Sequence, residues 1–175
     1  GYAWVGSDGA TGLYKKNVRG SMLSMTALPQ DAAAVIVHTR ASTQGHPSDN
    51  RNNHPLQSPD KTITLVHNGV IYNDSAVRSL LGPVGKDLAT VDSAVIPAVI
   101  EQLGLDDIDV LEGYAACAWF DTETGPTIHL ARFETAPVVY AWLEDGSFAF
   151  ASTADILGRA LQDAGINWWG SYPQA

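Results

Sequence analysis

His38-Thr39-Arg40-Ala41-Ser42-Thr43-Gln44-Gly45 follows directly on the β-prone run Val35-Ile36-Val37. Beyond it comes Asn53-His54-Pro55, and then Val66-His67-Asn68-Gly69-Val70-Ile71-Tyr72-Asn73 at the end of a second apolar run. An arginine, several hydroxyls and an Asn-Gly pair thus stand at the ends of two strand-like segments. Ligand sites are built from a few convergent polar groups set on apolar scaffolding. Residues 41–60, rich in Gly, Pro and Asn, form a connection of a length that is uncommon unless it serves function.

Outward from this centre the chain reads as mixed α and β. Thr62-Ile63-Thr64-Leu65-Val66 alternates at the strand period. Leu13, Val18, Met22, Leu23, Met25 and Leu28 suggest a helical stripe over 13–28, weakened by Gly20 and ended by Pro29. Asn73-Asp74 predicts a short helix to Leu81, ended by Gly82-Pro83. Thr90 predicts the cap of a helix from Val91 to Leu103, closed by Gly104. Strands are expected at 113–120, 126–132, 137–143 and 147–152, and their tight spacing suggests an antiparallel meander. Ser152 or Thr153 then caps a helix whose apolar face is Ile156, Leu157, Ala160, Leu161 and Ala164, closed by Gly165. Strands and helices are segregated, which defines the α+β class.

The 175 residues suffice for one domain with a real core. A formal net charge of −9 disfavours nucleic acid and anionic lipid as partners. No apolar run approaches the ~20 residues of a membrane span, and no signal-peptide pattern opens the sequence. Cys117 is the one cysteine, so an internal disulfide is impossible and a reducing, cytoplasmic setting fits. His38, His46, His54 and His67 match no compact metal-ligand spacing. Neither metal nor cofactor is expected.

Residues 33–73 resemble the core of class II glutamine amidotransferase domains, a branch of the N-terminal-nucleophile hydrolases. The resemblance rests on His38-Thr39-Arg40 with Thr43 and Gly45, on Asn53-His54-Pro55, on His67-Asn68-Gly69 with Asn73, and on Asp92 opening a helix. Fainter echoes extend it over nearly the whole chain: Glu112-Gly113-Tyr114-Ala115 running to Asp121, Leu130-Ala131-Arg132 with Pro137, and Phe150-Ala151-Ser152. The resemblance implies a four-layer αββα sandwich of two antiparallel sheets and hydrolysis of glutamine to glutamate and ammonia. It assigns Arg40 to the substrate carboxylate, which a planar guanidinium can grip with two parallel hydrogen bonds. Asp92 would receive the ammonium. Asn68 and the Gly69 N–H would form the oxyanion hole, with Thr43 and His67 beside the substrate. Taken singly, each residue also has a plainer reading: Arg40 as a surface ion pair, Asn68-Gly69 as a hairpin turn, Asp92 as a helix-end acid.

The family's nucleophile is the thiolate of a first-position cysteine, with its own α-amino group as base. This sequence begins Gly1-Tyr2. Ala41 stands where the family commonly has tryptophan, and Gln44 where it often has histidine. Cys117, inside Ala115-Ala116-Cys117-Ala118-Trp119, reads as a buried structural thiol. Two expectations stay open. Either a cysteine precedes Gly1 and the domain feeds ammonia to a synthase-like partner, or the nucleophile is gone and the fold serves a structural role, for instance in a virion. Residues 1–165 form the expected domain, and 166–175 an aromatic tail. In that tail at least one of Trp168, Trp169 and Tyr172 is expected to contact another chain, as part of a homo- or hetero-oligomer, the alternative being that the tail folds back over the domain's own sheet edge.

Overall fold

The computed structural model describes residues 1–41 and 44–166; Thr43 and the aromatic tail from residue 167 onward lie outside the described residues. The chain opens with a hairpin, β1 (Tyr2–Gly6) and β2 (Thr11–Tyr14). The expected helix over 13–28 is replaced by β2 and a single 3-10 turn at Gly20–Met22. The methionines of that stripe have nothing to pack against: Met22 is 70% exposed and Met25 41%. A helix without a buried face has little to hold it in water.

β3 (Ala32–Val37) pairs antiparallel with the other edge of β1, giving the order β2-β1-β3. The second sheet has the order β4-β5-β6-β7, all antiparallel: β4 (Leu56–Gln57), β5 (Ile63–Ile71), β6 (Gly113–Asp121) and β7 (Ile128–Phe133). Asn68 and Gly69 do not turn the chain. They lie within β5, opposite Ala116 and Ala115 of β6. β8 (Val139–Trp142) and β9 (Phe148–Ala151) form a separate hairpin, and β7 and β8 are not paired, so the expected meander breaks after β7.

Alternation along the strands builds the layers. Ala3, Val5, Ala34 and Ile36 of the first sheet face Val66, Ala118 and Phe120 of the second, with Ile128, Leu130 and Phe150 completing this inner core. The opposite face of β5 and β6 carries Ile63, Leu65, Ile71, Ala115, Cys117 and Trp119, packed under Val95, Ile96, Val99 and Ile100 of α3 (Val95–Leu103) and Val77 of α1 (Asp74–Leu80). α2 (Pro83–Asp87) starts where the sequence suggested a stop, because Pro83 takes a position in the first turn that needs no N–H. α4 (Ala154–Asp163), capped by Thr153, lays Leu157 and Leu161 on Ala141, Ala149 and Ala151 of the β8–β9 hairpin. The result is the mixed α and β sandwich of antiparallel sheets that the sequence led one to expect, with α1 and α3 outside the second sheet and α4 against the β8–β9 hairpin.

Candidate functional site

The site forms where β3 and β5 deliver their polar ends. Beyond Val37, the ladder between β1 and β3 continues by one pair: His38 N–H donates to the Gly1 carbonyl, and Gly1 N donates to the His38 carbonyl, each at 2.9 Å. The head of β1 is thereby fixed beside His38. Arg40, half-buried two residues on, donates from Nη2 to the Gln44 carbonyl. Its Nη1 is buried and has no partner among the described residues. A buried guanidinium N–H without an acceptor is costly unless a ligand supplies one.

The loop that follows is organised by asparagines rather than by apolar packing. Asn52 Nδ2 donates to the His46 carbonyl, and its Oδ1 accepts from the backbone N–H and the hydroxyl of Thr90. Asn53 Nδ2 reaches the Pro47 carbonyl and Asn50 Oδ1. Lys15, at the end of the first hairpin, donates from Nζ to the carbonyls of Asn53 and Pro55 at 2.9 and 3.1 Å. Burial lowers the Lys15 pKa, against an opposing pull from Asp49.

Three imidazoles run through this region. His38 stacks on His54, ring centroids 4.4 Å apart, and His54 lies 6.4 Å from His67. His54 Nδ1 accepts the His67 backbone N–H, so that nitrogen carries no proton. Burial pushes the His38 pKa down to about 4 and takes His54 well below its ordinary value. It also holds His67 near 4, against an opposing pull from Asp92. The three rings are therefore neutral at ordinary pH. No cluster able to hold a metal ion occurs among the described residues.

Two adjoining cavities open here. A cleft of about 140 Å³ is lined by Gly1, Lys16, Arg19, His38, Thr39, Arg40, Asn53 and His54. Three cations gathered in one cleft of an acidic protein make a local anion trap. A larger cavity of about 450 Å³ shares His38 and Thr39 with the cleft and adds Asn68 at its rim. A third cavity, about 620 Å³, lies apart, between Arg78, Ser79, Pro83, Lys86 and Thr90. Its Arg78 is spent on the carbonyls of Gly85, Ala89 and Val91, and no motif residue lines it.

The residues singled out in the sequence do not all meet in one cavity. Arg40 lines the cleft, whereas Asn68 and His67 line the larger cavity. Gly69 and Asp92 line neither. The Asp92 carboxylate is buried and accepts the Ile71 N–H at 2.8 Å, which ties α3's leading turn to the end of β5. Ser93, next to it, shares a 2.7 Å hydrogen bond with His67 Nδ1. Gly69 has φ +139, and a Cβ there would stand 1.9 Å from the Tyr114 carbonyl oxygen, so only glycine fits. Sequence reasoning missed Lys15, Lys16 and Arg19 as members of the site. Their only signal is positive charge in an otherwise acidic chain.

An antiparallel sandwich with polar side chains at the ends of β3 and β5 is the fold that the resemblance to class II glutamine amidotransferase domains implied. Comparison with known proteins agrees: residues 17–167 match the family described as the glutamine amidotransferase domain. The chain is 30% identical over 133 residues to the isomerizing glutamine–fructose-6-phosphate aminotransferase of Clostridium acetobutylicum, covering 71% of this chain and 22% of that protein. It is 34% identical over 137 residues to the counterpart from Chlorobaculum tepidum, covering 70% and 22%. Over 110 residues it is 42% identical to that of Bacillus licheniformis, covering 57% and 18%. This chain belongs to the glutamine amidotransferase domain family, in its class II branch. It spans about a fifth of the length of these relatives.

Proposed function

We propose that the domain binds L-glutamine across the two adjoining cavities and serves as the glutaminase part of a glutamine-dependent reaction. The observation that carries this reading is the buried Nη1 of Arg40, without a partner among the described residues, in a cleft also lined by Lys16 and Arg19. That is the chemistry of a carboxylate site. The side-chain amide then lies toward Asn68, whose NH₂ group, with the Gly69 N–H, supplies the donors for an oxyanion. The family resemblance also assigns Thr43 to the substrate. His67 and Asp92 act from behind: His67 through its Ser93 hydrogen bond, Asp92 by holding the Ile71 N–H that fixes the end of β5.

The attacking thiolate in this reading belongs to a cysteine ahead of β1, whose head is pinned at the cleft by the pair with His38. Ammonia passes to a synthase domain or a separate partner chain. Residues 1–165 make up the glutaminase unit, and the tail is the partner-facing segment. A second reading, a non-catalytic binding or assembly protein such as a virion component, draws on Cys117. The chain's one thiol is buried and pushed up to about 12, which leaves it inert.

Titration calorimetry with L-glutamine, followed by an ammonia-release assay on a variant extended by one cysteine before Gly1, separates the readings. Binding that is lost in Arg40→Met, with ammonia released by the extended variant, is the expected result. Binding without any release from that variant supports the non-catalytic reading. Failure of the chain to bind glutamine overturns the assignment of the site.

A further inference from the structure

The 450 Å³ cavity is larger and more apolar than the amide of free glutamine calls for. Beyond its rim of His38, Thr39 and Asn68, its walls are Val35, Val37, Val66, Ala116, Phe150 and Ile156. Among the described residues no Asp, Glu, Lys or Arg lines it, and its two imidazoles, His38 and His67, are neutral. It sits between the outer edge of β3 and the β8–β9 hairpin, over the inner face of β5 and β6.

Continuity between the cavities fixes the order in which a ligand meets them. This step rests on the glutamine reading above. A carboxylate held by Arg40 in the cationic cleft puts a γ-carboxamide near Asn68. Whatever the amide nitrogen carries then points into the apolar cavity. In free glutamine the nitrogen carries only hydrogens, and the valine and phenylalanine walls would face water. The geometry points to a γ-glutamyl amide with an apolar substituent on its nitrogen as the ligand class this site takes in preference to free glutamine. Its head is the α-amino acid, recognised by charge in the cleft. Its tail is an alkyl or aryl group, taken from water by the cavity at a gain that grows with each methylene.

The test is titration calorimetry of the 175-residue chain with L-glutamine and with L-γ-glutamyl-methylamide, -butylamide and -hexylamide. Affinity should rise along the series, the hexylamide binding about tenfold or more tighter than glutamine. Val37→Asn and Ile156→Asn change two half-exposed positions, 51% and 52% exposed. Each should lower the hexylamide-to-glutamine affinity ratio, in protein whose melting shows it folded. Arg40→Met should weaken every member of the series. If glutamine binds and the series is flat or falls, the preference is wrong while the glutamine site stands. A hexylamide that binds Arg40→Met as tightly as the parent chain is held by its tail alone, which overturns both readings. No binding by any member also overturns both.

Discussion

His54 Nδ1 accepts the backbone N–H of His67 at 3.2 Å, so one imidazole acts as a structural acceptor for the strand that carries another. That bond exists only while His54 Nδ1 is unprotonated. With His38 stacked on His54, the strand ends of the site rest on a group of neutral imidazoles.

Acid should therefore unfasten the domain. The folded pKa values of His38 and His67 are lowered from 6.5 to about 4, and burial also takes that of His54 well below 6.5. Between those values and 6.5 the unfolded chain binds more protons, so stability is full above about pH 6.5 and falls as pH drops toward 4. The expected loss is on the order of 1–3 kcal/mol for each of His38 and His67. Urea unfolding across this window checks it, and His38→Gln should flatten part of the slope. Stability unchanged down to pH 4.5 would rule out the neutral imidazoles.

Gly69→Ala should cost roughly 2–4 kcal/mol, since φ +139 and the Tyr114 carbonyl both oppose a Cβ. Gly82→Ala is the comparison. It also has positive φ but meets nothing within 4 Å, so about 1 kcal/mol is expected. Equal losses in the two variants would mean that β5 can slide away from Tyr114.

Asp92 separates a clamp from a ligand contact. Asp92→Ala leaves the Ile71 N–H buried and unpaired, at about 1–3 kcal/mol. Asp92→Asn keeps an acceptor and should retain most of that stability. A stable Asp92→Ala variant that loses glutamine binding would return the residue to the substrate.

Cys117 should be silent to Ellman's reagent in the native protein at about pH 8, because burial pushes its thiol up to about 12. Labelling should follow global unfolding. Rapid native labelling would show the thiol to be reachable from the cavity that Cys117 helps to line, and would revive it as a nucleophile.

Legibility followed partner geometry. β5 to β9 and α4 could be read because each carries its own alternation or cap, as in the Thr153 hydroxyl that accepts the Ile156 N–H. β1 was missed although Tyr2-Ala3-Trp4-Val5 is β-prone; its reason to form is β3, some thirty positions away. Asn68-Gly69 reads locally as a turn, and only β6 running alongside keeps it extended. In the site, Arg40, Asn68 and His67 were visible as a motif. The division into two cavities was not, because it depends on where the edge of β3 and the β8–β9 hairpin come to rest over the second sheet.

Lys15 has a consequence for motion. Its ammonium spans 38 and 40 positions of sequence to hold the Asn53 and Pro55 carbonyls, while the Lys15 carbonyl accepts from Asn50 Nδ2. The first hairpin and the loop behind the cleft are buttoned together by one side chain and its own backbone. They belong to a single opening unit, so amide hydrogen exchange should report one shared opening free energy for both. A peptide of the loop alone would lack the button, and the cleft comes into being only once the two ends of that reach have met.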